Sequence, residues 1–139
     1  MERVEILSLI EQFQFNFLDD SRWQFIVSGL KNTIIITFFA VLLGVFLGFL
    51  IAIVRSTHDK TGKLKILNVI CRVYLTVIRG TPTMIQLLIM NFVIFGAVSI
   101  NKIIVGGLAF GINSGAYVAE IVRSGIMSID QGQFEAGRS

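Results

Sequence analysis

The sequence predicts an all-α protein, an integral membrane helical bundle, and three features lead to that class. Hydrophobic residues make up 54% of the 139 residues. Charged residues make up only 15%, against about a quarter in a soluble domain, so the chain has too little polar surface to cover itself and needs lipid or partners around it. The charges also leave long gaps between them, each about the length of a membrane span. A chain of this length has room for a few such helices and no separate soluble domain.

Residues 1–32 come first and carry five acids (Glu2, Glu5, Glu11, Asp19, Asp20) and three bases (Arg3, Arg22, Lys31). They lack a basic region followed by an apolar run and a small-residue cleavage site, so they do not read as a cleavable signal. Phe13, Phe15, Phe17, Trp23 and Phe25 instead suggest an aromatic belt in a segment at the outer interface. A long hydrophobic region follows over 33–122, with spans expected at about 33–54, 82–101 and 103–122. The first run is bracketed by Lys31 and Arg55 and, at about 1.5 Å per residue, is long enough for a hydrocarbon core of about 30 Å.

Between the first two spans an amphipathic stretch is expected over 64–78. The segment from Arg55 to Arg79 carries Arg55, Lys60, Lys63, Lys65, Arg72 and Arg79 against Asp59 alone. The excess of bases beside a span puts this segment in the cytoplasm, the N-terminus outside and the C-terminus inside a cell membrane crossed several times. Residues 123–139 then form a cytoplasmic segment.

Several functions are excluded by what the chain lacks. A single Cys71 excludes an internal disulfide and offers no metal-ligand spacing. The lone His58 is expected in a polar loop, not at a metal site. No Gly-rich P-loop is present, so no nucleotide-binding motif of that kind lies in this sequence. The sequence pI near 9.4 does not imply nucleic acid, because the bases cluster beside a span and membrane topology accounts for them. No catalytic residue, metal ligand or resident cofactor is expected, and the protein does not read as an enzyme.

Glycines and polar residues inside the spans carry the remaining signals. Gly44 and Gly48 in the first span, and Gly107, Gly111 and Gly115 in the third, repeat every four residues. That spacing keeps them on one helix face, where a neighbouring backbone approaches closely; packing of this kind needs a neighbour, and oligomerisation is expected to supply it. Asn113 and Ser114 fall near the middle of the third span, with Tyr117 one turn on. Polar groups at that depth need partners or a wet cavity. The face they share is a candidate solute path, and an interhelical hydrogen bond worth about 1 kcal/mol is the plainer use.

Arg79-Gly80-Thr81-Pro82 interrupts the second hydrophobic region. Pro82 lacks an N–H and disfavours helical geometry at Thr81, so a helix should stop or kink here, and a restart at Pro82 suits a first helical position. With Gln86 beyond it, this stretch is a candidate hinge or gate. Glu120 and Arg123 can pair at i,i+3 at the cytoplasmic end of the third span. Asp130, followed by Gln133, suits the start of a short helix in which Phe134 and Gly137 share a face.

Gly132-Gln133-Phe134-Glu135-Ala136, following Ala116-Tyr117-Val118-Ala119-Glu120-Ile121-Val122-Arg123, resembles the cytoplasmic EAA loop of ABC-importer permeases, and more narrowly the polar amino acid permease family. Tyr74-Leu-Thr-Val-Ile-Arg-Gly-Thr-Pro-Thr-Met-Ile-Gln86 is similar to that family's Tyr…Arg-Gly-Thr-Pro…Gln segment, and Trp23…Gly29…Thr33…Gly44…Gly48…Arg55-Ser56 also fits. The resemblance runs from about Trp23 to Ser139.

It implies the N-terminal three spans of a type I ABC-importer permease that moves polar amino acids by alternating access. The implied partners are a cytoplasmic ABC ATPase, a second permease subunit (the same or a related one), an extracytoplasmic amino-acid-binding protein, the amino acid substrate and the lipid membrane. Gly132, Gln133, Phe134, Glu135, Ala136 and Gly137 would form the coupling segment seated on the ATPase. Gly137 replaces the family's usual second Ala, at a helix cost of up to about 1 kcal/mol, and Asp130 replaces its usual Pro. The chain ends before the motif's final Gly and before the family's last two spans, so a fragment of a longer permease or a truncated gene product is expected. An inert truncated product and a small oligomeric membrane scaffold or pore are the alternative readings.

Overall fold

The computed structural model describes residues 2–14 and 22–129, together with Gly132 and Gly137. Among the described residues the chain forms helices and no strand, so the all-α class expected from composition is the one observed. The chain divides into two units, Met1–Ile35 and Ile36–Ser139.

The first unit holds α1 (Glu2–Phe13) and the opening turns of α2 (Trp23–Thr61). Ser28 and Thr33 fold their hydroxyls back onto Phe25 O (3.4 Å) and Gly29 O (2.9 Å), which lets small polar residues stay in a helix. Trp23 and Phe25 are exposed; Phe15 and Phe17 lie outside the described residues.

The second unit begins with the rest of α2. The expected span 33–54 forms only the middle of this helix, which runs on through Arg55 to Thr61. His58, expected in a loop, is therefore in the last turn of α2, where its Nδ1 lies 2.8 Å from Lys63 O. Helix persists through these charged positions because Arg55 and Asp59 find partners on a later helix. Gly62 ends it: its φ of 69° is in the left-handed region that only glycine adopts freely, and its N–H donates to His58 O at 2.8 Å. Leu64 follows in the same region at φ 59°.

Helix α3 (Lys65–Gly80) covers the expected amphipathic stretch. Ile66, Val69, Ile70, Val73 and Val77 form one exposed apolar face at helical spacing. Tyr74, Leu75 and Ile78 turn the other way and pack with Ile51, Ala116 and Ala119. The chain then bends by 105° into α4 (Thr83–Leu88), which continues as a π-helical turn over Ile89–Ile94.

Pro82 was expected as a first helical residue; it instead caps α4 from outside, with ψ at 134°. Its carbonyl accepts from Ile85 N (3.0 Å) and Gln86 N (3.2 Å). Helical structure covers 83–94 of the expected span 82–101. At Gly96 a Cβ would lie 2.1 Å from Phe92 O, so the closing turn requires glycine. Asn101 caps α5 (Lys102–Met127) by accepting from Ile103 N at 2.9 Å.

By length and composition α2 and α5 can each cross a membrane, and the bent pair α3–α4 makes a third candidate if it counts as one span. What joins α2 to α5 is a row of small residues. Ala40, Gly44, Gly48, Ala52 and Ser56 are buried at every fourth position of α2. A Cβ added at Gly44 would lie 2.8 Å from Ser114 Cβ, and one at Gly111 would lie 2.7 Å from Leu43 Cδ2. At Gly115 it would meet Leu47 Cβ at 3.1 Å and the Tyr74 hydroxyl at 3.2 Å. Gly107 is looser, with Phe39 Cβ at 3.6 Å. The glycine rows of the two helices thus meet each other within one chain, which removes the basis on which they implied a second copy.

Candidate functional site

The middle and C-terminal half of α5 bring together most of the polar residues that the sequence singles out, in two groups. The first is at the bend. Gln86, four residues past Pro82, turns its side chain back over the break. Its Nε2 donates to Ile78 O (2.6 Å), Thr81 O (3.1 Å) and Thr81 Oγ1 (2.6 Å). Thr81 Oγ1 also donates to Val77 O at 2.8 Å. These bonds occupy carbonyls that lose their helical partners where α3 stops, which an apolar surrounding would otherwise leave unsatisfied. The Gln86 Oε1 accepts from Asn113 Nδ2 at 3.0 Å. Arg79, Gly80, Thr81, Pro82 and Gln86, the hinge candidates, are therefore tied to Asn113 on α5 through one amide side chain.

Ser114 and Tyr117 were expected to share a face with Asn113. The structure divides them. Ser114 faces Gly44 on α2, where a Cβ on the glycine would lie 2.8 Å from the serine Cβ. Tyr117 is 47% exposed and looks toward the end of α3, with the Arg79 guanidinium 5.8 Å from its ring centre. The two positions differ because successive residues on a helix are separated by about 100° of rotation, and the i+3 spacing brought Ser114 only to the edge of the Tyr117 face. Tyr74, noted in the sequence only as part of a motif, reaches across from α3 and donates its hydroxyl to Ile112 O. The space for that hydroxyl is the missing side chain of Gly115.

The second group centres on Glu120. The expected pair with Arg123 is present, Arg123 Nη1 to Glu120 Oε1 at 3.3 Å. Two further arginines share the other oxygen: Arg55 Nη1 lies 2.9 Å and Arg79 Nη1 3.3 Å from Glu120 Oε2. Arg123 also pairs with Asp59 Oδ2 on α2, at 2.7 Å through Nη2 and 2.9 Å through Nε. One carboxylate thus binds α2, the end of α3 and α5 together. Sequence reasoning reached only the local pair, because Arg55 and Glu120 are 65 residues apart. A charge count would have pointed further: six bases stand against one acid over 55–79, and Glu120 is the sole acid of α5.

Arg55, Arg72, Arg79, Thr76, Tyr117 and Glu120 line a cavity of about 470 Å³ between α2, α3 and α5. Gln133, Phe134, Glu135 and Ala136, with Asp130 before them, lie outside the described residues; Gly132 and Gly137 are exposed. Among the described residues no group of three or more His, Cys, Asp or Glu side chains is placed to hold a metal ion.

No protein-family model matches the chain. It is 38% identical over 117 residues to a putative glutamine transport system permease protein of Rickettsia prowazekii, covering 83% of this chain and 51% of that protein. It is 32% identical over 139 residues to the L-cystine transport system permease protein TcyB of Bacillus subtilis, covering 99% of this chain and 57% of that one. Among solved structures, a crystal structure of an amino acid ABC transporter with histidines superposes at a TM-score of 0.63 and 36% identity, covering 81% of this chain and 55% of the other. The chain spans about half the length of the curated relatives it matches.

Proposed function

The chain belongs to the amino acid ABC transporter permeases, and from that premise we propose that it supplies part of the path by which a polar amino acid crosses the cell membrane. The protein is a membrane-embedded transport subunit, not an enzyme. ATP is bound and hydrolysed by a separate cytoplasmic ABC ATPase, and an extracytoplasmic binding protein delivers the amino acid. A second permease subunit, the same or related, completes the path. The N-terminus is outside and the C-terminus in the cytoplasm, as the bases of 55–79 favour.

One observation carries the reading: a polar strip on α5, from Asn113 through Tyr117 to Glu120, meets a helix broken by 105°. Interrupted backbone and polar side chains at membrane depth are tolerated where they line a cavity, and transporters build substrate sites from broken helices in that way. Rocking of α3 and α4 about the Gly80–Pro82 break, limited by Gln86 and Asn113, would open and close one side of that cavity. Gly132, Gln133, Phe134, Glu135, Ala136 and Gly137 pass the motion to and from the ATPase. The relatives' names favour polar amino acids as the substrate class. The alternative of an oligomeric scaffold or pore drew on the glycine faces, and those are used within the chain.

In the permease carrying this sequence, Glu135→Ala is expected to reduce recovery of a coexpressed amino acid ABC ATPase on affinity capture by several-fold, with membrane insertion unchanged. Equal ATPase recovery from the variant and the parent would remove the coupling assignment.

A further inference from the structure

The cavity between α2, α3 and α5 holds three guanidiniums, Arg55, Arg72 and Arg79, against one carboxylate, Glu120. Glu120 is already shared, since it also takes Arg123. Arg55 is held close, at 2.9 Å with its side chain 15% exposed; Arg79 is held more loosely, at 3.3 Å and 43% exposed. Arg72 makes no ion pair among the described residues. It stands seven residues before Arg79, two turns back on the same face of α3. A cavity with this excess of positive charge and an arginine without a counter-ion is incomplete electrostatically, and a planar bidentate acceptor is what guanidiniums bind best.

We propose that this cavity is a carboxylate site, in which Arg72 and Arg79 hold the α-carboxylate of an amino acid and the ligand takes over Arg79 from Glu120. The volume of about 470 Å³ suits one small amino acid. The Tyr117 ring, against which Arg79 already rests, forms the wall beside the ligand. Glu120 keeps Arg55 and Arg123 in either case, so α2 and α5 stay joined while the end of α3 changes partner next to the bend. The identity of the ligand as an amino acid rests on the transport reading above; the anion preference of the cavity does not.

The test uses the whole chain in phosphatidylcholine nanodiscs at constant ionic strength, with thermal unfolding followed by circular dichroism. A ligand that binds only the folded form raises Tm with concentration. Glycine, L-glutamine and sodium acetate are expected to raise it, and glycinamide, L-glutaminamide and sodium chloride to leave it unchanged. Arg72→Gln should weaken the apparent affinity for glycine and L-glutamine by about tenfold or more, as loss of one charged hydrogen-bonding partner does, while Arg72→Lys keeps part of it. Because Arg72 makes no ion pair among the described residues, its replacement should not lower the ligand-free Tm.

Equal responses to acids and amides would overturn the site, and so would a response that survives both Arg72→Gln and Arg79→Gln. A rise with phosphatidylglycerol in the disc and none with amino acids would reassign the arginines to a lipid headgroup and overturn it too. Binding on these terms without ATP-driven uptake by the permease would leave the site standing and remove the transport reading; uptake without it would do the reverse.

Discussion

Gly48→Leu is expected to abolish the packed arrangement of α2 and α5. A Cβ at position 48 would lie 2.5 Å from Val118 Cγ1, 2.6 Å from Val118 Cβ and 3.0 Å from the backbone nitrogen of Ala119. The first two contacts are with one side chain, and the third is with main chain that cannot turn away. Even Gly48→Ala should cost about 2 kcal/mol by overpacking, whereas the rest of a leucine has no space at all. Adding Val118→Ala to Gly48→Ala should recover much of that loss, because Val118 supplies the two shortest contacts.

Gly29→Ala is the control. Nothing lies within 4 Å of a Cβ there, and alanine in a helix interior should be better than glycine by up to about 1 kcal/mol. Unfolding in mixed micelles with increasing sodium dodecyl sulfate reads the difference. Equal stability for Gly48→Ala and Gly29→Ala would contradict the close α2–α5 crossing.

Glu120→Gln is expected to destabilise the chain by about 1–2 kcal/mol, between the worth of an exposed pair and the cost of breaking a buried one, because the Glu120 side chain is 32% exposed. The loss should not be shared equally among the three arginines. Arg55, at 15% side-chain exposure, is left with little water to replace the carboxylate, whereas Arg79, at 43%, is well solvated and an exposed pair of that kind contributes less than about 1 kcal/mol. Double-mutant cycles separate the two limbs. The Arg55–Glu120 coupling should be the larger and nearly insensitive to salt, and the Arg79–Glu120 coupling small and screened by added salt. The reverse order would show that Glu120 serves mainly the end of α3, against the division of roles drawn from the distances.

Much of this fold was legible in the sequence where a single stretch determines its own structure. The charge-free run 33–54 gave the middle of α2, and Arg79-Gly80-Thr81-Pro82 the break between α3 and α4. Other features depend on partners far along the chain. Helix α2 runs seven residues past its apolar run to Thr61 because Arg55 and Asp59 meet Glu120 and Arg123, which local charge counting assigns to a loop. The π-helical turn at Ile89–Ile94 and the early stop at Gly96 leave no periodic signal in an apolar run.

The candidate site divides along the same line. Asn113, Tyr117 and Gln86 stood out because polar residues in a span demand an explanation. Ser114 stood out for the same reason and turned to α2 instead. Arg55, Arg72 and Tyr74 were unremarked as site residues, since a base near a membrane edge or a tyrosine in an amphipathic helix is ordinary until its partner is known.

The central claim is that the permease carrying this sequence moves a polar amino acid at the expense of ATP. Uptake of labelled amino acids into proteoliposomes tests it most directly, with an amino acid ABC ATPase and a binding protein supplied and ATP available only on the ATPase side. The account predicts accumulation of at least one polar amino acid that stops when ATP is withheld, and that Asn113→Leu changes this uptake without loss of insertion. Uptake of no amino acid, or uptake indifferent to ATP, would contradict it.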